Sequence, residues 1–242
     1  MIWKTKMIAH IASKSTFRQS FIALVSSFLI ALTGFADKAS ADEVLDARVQ
    51  KFLDEHARDW RDMNVPYQDG MILHDIIVDR GFTRAFEIGT STGHSTIWIA
   101  WALSKTGGTL ATVEIDERRY ETARENIAVA GLTDYVEFIL GDAHEIVPAL
   151  EGTYDFVFSD ADKGWYINYF DDMYPKLTDN ACFIAHNVGE SRFQSARSWE
   201  AEYLEHVRKA PDMLTMVHPN ARNGIAMTCK EVDGGLGAVD DR

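Results

Sequence analysis

The sequence predicts an α/β fold: a mostly parallel sheet of seven strands with helices on both faces, finished by an antiparallel C-terminal hairpin. Three observations lead there. From residue 85 onward, short apolar runs alternate with longer amphipathic stretches. Each of the first four short runs is followed within two residues by a glycine or an acid. The last two apolar runs flank a turn containing Asn223-Gly224, a hairpin signature.

At 242 residues, 46% hydrophobic and 25% charged, the chain suffices for one such domain with a sizeable core. Its first 41 residues stand apart. Lys4, Lys6, Lys14 and Arg18 precede an apolar run over 21–36, and Ala39-Ser40-Ala41 offers a small-x-small cleavage site. That order reads as a secretory signal peptide, removed before Asp42. A retained membrane anchor is the rival reading. Ser26, Ser27 and Gly34 interrupt the run, which falls short of the roughly 20 apolar residues of a spanning helix. With no twin-arginine pair, the Sec route and an extracytoplasmic, for instance periplasmic, location are expected. The domain is then 42–230, and 231–242, rich in glycine, is a loose tail.

Within the domain, Leu45, Val49, Phe52, Leu53, His56 and Trp60 recur at helical spacing, predicting a helix over 42–63. A second helix over 71–80 stops at Gly81. Strand–helix pairs follow: 85–88 with 96–103, 110–115 with 117–130, 136–140 with 143–150, 154–158 with 166–177, and 181–185 with 196–207. Residues 214–218 and 225–230 make the closing pair. Cys182 and Cys229 both fall in strand-like apolar runs, where two buried thiols are expected, although export would permit a disulfide.

The formal charge is −13, and losing residues 1–41 (five basic residues and Asp37) takes it to −17. A surface that acidic repels phosphate backbones, and no basic stripe counters it, so nucleic acid is excluded as a partner.

In open parallel sheets ligands bind beyond the carboxyl ends of the strands. After the first strand comes Glu87-Ile88-Gly89-Thr90-Ser91-Thr92-Gly93-His94-Ser95, whose glycines let backbone approach a ligand at a helix N-terminus. The spacing is neither G-x-G-x-x-G nor a P-loop, which counts against dinucleotides and nucleoside triphosphates. Glu114 ends the second strand where a carboxylate accepts ribose hydroxyls, and Asp116 reads as a helix N-cap. Asp142-Ala143-His144 opens the helix after the third strand, with Asp142 a cap that also borders the ligand region. Asp160, Asp162 and Lys163 follow the fourth strand, and His186-Asn187 the fifth. Charges at strand ends need partners, so a cation or a reacting group is indicated there. A solvated loop is the plainer alternative for the acids, and core packing for the histidine.

In this order the motifs resemble the cation-dependent O-methyltransferases that include catechol and caffeoyl-CoA O-methyltransferases. The likeness runs from about Met63 to Lys230. It implies a Rossmann-like class I methyltransferase fold and S-adenosylmethionine as cofactor. It places Met63-Asn64-Val65 over the methionine end. Glu87, Gly89, Ser91, Gly93 and Ser95 fall in the first cofactor motif, Glu114 at the ribose, and Ala143 and His144 at the adenine edge. Asp160-Ala161-Asp162-Lys163 matches the bacterial D-A-D-K, in which Asp160 ligates the metal beside the cofactor and Lys163 sits by the acceptor oxygen. The resemblance also implies a small phenolic or catechol-like acceptor and homodimers as a frequent state; Trp165 and Tyr166 stand where they could flank an aromatic acceptor, with core packing the plainer alternative for Tyr166. One departure stands out. The family's A-D-N on the fifth strand is here Ala185-His186-Asn187, so the metal set becomes Asp160, His186 and Asn187. Mg²⁺, the family's metal, prefers oxygen ligands and imidazole favours Zn²⁺, Fe, Co or Ni, so either the metal has changed or the site has lost it. That substitution, with an export signal on a protein whose cofactor is made in the cytosol, also admits an exported cofactor-binding protein without catalysis.

Overall fold

The computed structural model describes residues 41–189 and 198–230. The expected signal segment and tail lie outside them. No helix among the described residues is long and apolar enough to cross a membrane.

Residues 41–55 are helical (α1), followed by α2 (Tyr67–Arg80), β1 (Arg84–Ile88), α3 (His94–Thr106), β2 (Thr109–Glu114) and α4 (Glu117–Ala130). Then come β3 (Val136–Leu140), α5 (Ala143–Ala149), β4 (Tyr154–Ser159), α6 (Tyr166–Met173), β5 (Leu177–His186), α7 (Trp199–Val207), β6 (Met213–Val217) and β7 (Ile225–Lys230). The seven strands form one sheet in the order β3-β2-β1-β4-β5-β7-β6. The first five are parallel, and β7 runs antiparallel to both β5 and β6. The α/β architecture and its antiparallel ending are as the sequence predicts. Asn223-Gly224 belongs to a longer loop, with Gly224 at φ 86°, and β7 inserts between β5 and β6.

Local chemistry sets the helix ends. Gly81, Gly107 and Gly131 close α2, α3 and α4 in the left-handed conformation. Asp116 and Asp142 cap α4 and α5 by accepting the N–H of Arg119 and His144. The first helix is shorter than the 42–63 predicted. Past residue 55 the bonds tighten from i−4 to i−3 (Ala57 N–H to Asp54, Asp59 N–H to His56). Trp60 leaves the helix to stack on His94, ring centroids 4.5 Å apart.

The period of two along each central strand sorts side chains between two cores. Phe86, Val157, Phe183 and Ala185 meet α6 and α7 through Phe170, Tyr203 and Leu204. Ala85, Phe156, Phe158, Cys182 and Ile184 meet α2 and α3 through Leu73, Ile77, Ile99 and Leu103. Burying each large side chain is worth about 1.5–3 kcal/mol, so a one-residue slip, which exchanges the faces, is strongly disfavoured.

The cysteines are joined, which corrects the expectation of two thiols: Cys182 and Cys229 form a disulfide. They are directly opposed in the β5–β7 register, Cα atoms 4.1 Å apart, a proximity that exists only because β7 inserts beside β5. The bond closes a loop with a sequence separation of 47. From chain entropy, the Cys182→Ser/Cys229→Ser variant is expected to lose about 4 kcal/mol in urea unfolding.

Candidate active site

Because β1 connects to β2 on one side and pairs with β4 on the other, the sheet reverses its winding between β1 and β4. A cavity of about 690 Å³ opens at the carboxyl ends of these strands. Asp160 N–H donates to the carbonyl of Ile88 (2.9 Å), pressing the ends of β4 and β1 together. Gly89, at φ 98°, lies against that junction, where a Cβ would come within 3.1 Å of the Asp160 carbonyl. No other residue fits there without moving backbone.

Glu87 alternates onto the α3 face. Its Oε2 accepts the hydroxyls of Thr96 (2.6 Å) and Thr112 (2.7 Å), while Oε1 is buried without a partner among the described residues. Burial raises its pKa to about 7 against the pull of the Ser95, Thr96 and Thr112 hydroxyls, with the Asp160 charge adding to the rise. Glu114 is held by backbone: Ser91 N–H donates to Oε2 (2.7 Å), and Ile115 and Asp116 N–H to Oε1 (3.1 and 2.9 Å). The 62–65 segment is tied over the glycine loop by Ser91 Oγ to the Asp62 carbonyl (2.5 Å) and Asn64 Nδ2 to Thr92 Oγ1 (2.8 Å).

His94 completes that tie. Its Nδ1 lies 2.8 Å from the Val65 carbonyl, and its Nε2 accepts from the Trp98 indole (3.1 Å), which fixes the neutral tautomer. Burial lowers its pKa to about 4, against the Val65 bond. The linkage signs of His94 and Glu87 are opposite. A histidine kept neutral on folding costs stability as pH falls from about 6.5 to 4. A carboxyl whose pKa rises on folding gains stability as pH falls from about 7 to 4.5. Each shift is worth about 3 kcal/mol, so the two nearly cancel in the wild type. Glu87→Gln leaves the histidine uncompensated, and urea unfolding of that variant should show about 3 kcal/mol lost between pH 7 and 4.

The period of two also brings the strand-end charges onto the α2 face, since Phe158 is followed two residues on by Asp160, and Ile184 by His186. His186 Nδ1 lies 3.0 Å from Asp160 Oδ2, and its Nε2 lies 3.0 Å from Asp69 Oδ2, a carboxylate on α2. Asp69 is fully buried and also accepts the N–H groups of Arg222 (2.6 Å) and Asn223 (3.1 Å) from the loop before β7. Lys163 Nζ donates to Asp160 Oδ1 (2.5 Å) and to Tyr166 OH (2.8 Å), and that hydroxyl donates to the Ser159 carbonyl (2.9 Å). Burial would lower the pKa of His186, but the two carboxylates outweigh it and the pKa is raised. Burial would raise that of Asp69, and the His186, Arg222 and Asn223 bonds bring it below the usual carboxylate range.

Of the cofactor candidates, Gly89, Ser91, Glu114, Ala143, His144 and Asp160 line the cavity. Val65, Glu87, Gly93 and Ser95 lie behind the lining: Val65, Glu87 and Ser95 are buried side chains, and Gly93 caps α3 against Ala123. Lys163, His186 and Asn187 line it too. Tyr166 is core, whereas Trp165 is partly exposed and stacks on His144 at 4.3 Å. Asp69, Arg119 and Tyr169 escaped sequence reasoning. Arg119 and Tyr169 line the cavity, and Arg119 pairs with Asp62 (2.9 Å).

The donor set does not suit a divalent cation. Both ring nitrogens of His186 face carboxylates and both Asp160 oxygens are engaged. Among the described residues no group of three or more His, Cys, Asp or Glu is arranged to hold a metal.

This fold, with its ligand cleft at the β1–β4 switch point, is that of the S-adenosylmethionine-dependent methyltransferases. The family model for O-methyltransferases matches residues 37–188, and the chain belongs to that family of S-adenosylmethionine-dependent transferases. A catechol O-methyltransferase of Niastella koreensis is 34% identical over 156 residues, 58% of this chain and 70% of that protein. A flavonoid 3',5'-methyltransferase of Vitis vinifera is 32% identical over 155 residues, 62% and 65% of the two chains. The match spans about half of several plant caffeoyl-CoA O-methyltransferases. Among solved structures, an O-methyltransferase of Bacillus cereus in complex with S-adenosylhomocysteine superposes with TM-score 0.62 at 26% identity, covering 76% of this chain and 91% of that one. An O-methyltransferase of Streptomyces achromogenes in complex with S-adenosylmethionine gives TM-score 0.62, 26% identity and coverages of 76% and 90%.

Proposed function

We propose that this chain transfers the methyl group of S-adenosylmethionine to a hydroxyl of a small phenolic, catechol-like acceptor. The observation that carries the reading is that Gly89, Glu114 and Asp160, from the ends of three strands, line one cavity together with Lys163. The cavity volume lies within the range of small-molecule sites, about 300–1,000 Å³. The chain's groups fit the cofactor: Gly89 keeps the cradle free of side chain, Glu114 is pre-oriented towards ribose hydroxyls, and Glu87 holds an unpartnered acceptor beneath the loop. Bound S-adenosylmethionine supplies an electrophilic methyl on a sulfonium.

The residues of this chain then need to align the acceptor and steady its charge. As the acceptor oxygen bonds to the methyl carbon, the electron pair of the carbon–sulfur bond stays on sulfur and the phenolic proton leaves to solvent. Lys163 has three donors; two go to Asp160 and Tyr166, and the third serves the developing oxyanion. His144 lines the cavity and is backed by the stacked Trp165 ring, an aromatic surface for the acceptor. The acceptor class is supported by the names of the catechol and flavonoid relatives. The divalent cation that the resemblance implied has no part in this reading, because two of its three donors, Asp160 and His186, are engaged with each other, with Lys163 and with Asp69.

We place the enzyme outside the cytosol, on the strength of the Lys-rich, apolar, Ala39-Ser40-Ala41 leader. The Cys182–Cys229 disulfide supports that location, since such bonds persist in oxidising compartments. The test of the function is transfer of labelled methyl from S-adenosylmethionine to a catechol panel, alongside calorimetric titration with S-adenosylhomocysteine. Product on a phenolic hydroxyl is the expected result. Binding without turnover would instead identify an exported cofactor-binding protein, and no binding would remove both.

A further inference from the structure

We infer that the chain Asp69–His186–Asp160–Lys163 takes the place of a divalent cation at the floor of this cavity, so that the site works metal-free. The inference deepens the methyl-transfer reading above and rests on it for what the site is used for. Cation occupancy itself is measured independently of that reading.

An imidazole binds a metal through a nitrogen lone pair, and at most one of its two nitrogens can donate a proton to a supporting group at the same time. His186 has both nitrogens 3.0 Å from carboxylate oxygens, on Asp160 and on Asp69. Freeing one for a metal breaks one of those bonds. The Asp69 side cannot yield cheaply. That carboxylate is fully buried, and two backbone N–H groups of the loop before β7 hold it in place. The Asp160 side cannot yield alone either, since its other oxygen is held by Lys163 at 2.5 Å. Asp160 is itself only 11% exposed, so water offers little replacement.

Charge leads to the same result. An ionised carboxylate only accepts, so an imidazole between two of them donates from both nitrogens and carries a positive charge. Two carboxylates, one imidazolium and one ammonium sum to zero. A divalent ion entering this balanced cluster would have to displace the imidazolium proton, and would still leave one uncompensated charge beside the sulfonium of the cofactor, where low dielectric magnifies repulsion. With aspartate in place of His186, the floor would instead hold an excess of negative charge and oxygen donors, which is what a hard cation needs. His186, an imidazolium with Asp69 as its buried counter-ion, therefore stands where a carboxylate with its metal would.

The experiment uses the full mature chain. Mn²⁺ alone is titrated up to about 1 mM, the weak end of oxygen-ligand cation affinities, and followed by electron paramagnetic resonance. The same titration is run on Asp160→Asn. The expected result is no saturable site that depends on Asp160, and methyl transfer within twofold of its initial rate after exhaustive chelation. Ions that bind Asp160→Asn equally well lie elsewhere on the acidic surface and agree with the inference. One saturable Mn²⁺ per chain, abolished in Asp160→Asn, would overturn it, as would activity lost to chelator and restored by Mg²⁺. A chain that binds no S-adenosylhomocysteine and transfers no methyl refutes the proposed function instead, and the Mn²⁺ titration still decides the question of the metal.

Discussion

Asp69→Asn is expected to destabilise the protein by about 3–5 kcal/mol, the cost of leaving one member of a buried ion pair alone. The replaced carboxylate accepts three hydrogen bonds, from His186 and from the N–H groups of Arg222 and Asn223. An asparagine keeps one oxygen and turns an NH₂ group towards at least one of these donors. The His186 side chain, 3% exposed, then keeps its charge with Asp160 as sole counter-ion. Alternatively it gives up the proton and the Asp160 bond weakens. Both routes lower the urea midpoint at neutral pH. The variant should also lose hydrogen-exchange protection in the loop before β7, a local signature that general destabilisation does not give.

Lys163→Met is expected to reduce kcat for methyl transfer by about 10²–10³, the loss typical of removing one donor from an oxyanion. The methionine retains the stem's packing and removes the charge. Affinity for S-adenosylhomocysteine should change by less than threefold, because the glycine loop and the acid proposed to hold the cofactor lie at the ends of β1 and β2. A loss confined to KM would instead make Lys163 a binding residue and displace it from the chemistry. Rapid-mix single-turnover assays separate these outcomes.

How much of this was legible beforehand depends on how local the cause is. The strands could be read because alternation, glycine caps and acidic N-caps are written within a few residues of the elements they shape. Gly89, Glu114 and Asp160 could be placed for the same reason: each directly follows an apolar run, and parallel strands deliver such residues to one edge. The end of α1 could not, because helical spacing persists as far as Trp60, whose partner His94 lies over thirty residues away. Nor could the disulfide, since two cysteines in separate strands reveal no register until β7 enters beside β5. Asp69 was the largest omission. In sequence it lies two residues before the helix predicted over 71–80; in the structure that helix starts at Tyr67 and Asp69 falls in its first turn, favourable there on dipole grounds alone. Its role appears only when α2, β5 and the loop before β7 converge. A signal did exist: His186 shares a strand face with Ile184 and Cys182, which points it at α2, where a counter-ion was to be sought.

Beside Asp69 sits Gly70, where a Cβ would fall 2.2 Å from the indole of Trp98, whose ring nitrogen in turn donates to His94. Backbone, indole and imidazole thus form a rigid strut from the helix that supplies the buried acid to the loop proposed to cradle the sulfonium ligand. Filling the cleft should stiffen amides on both ends of that strut at once, so that donor occupancy is felt at the acceptor floor before any acceptor arrives.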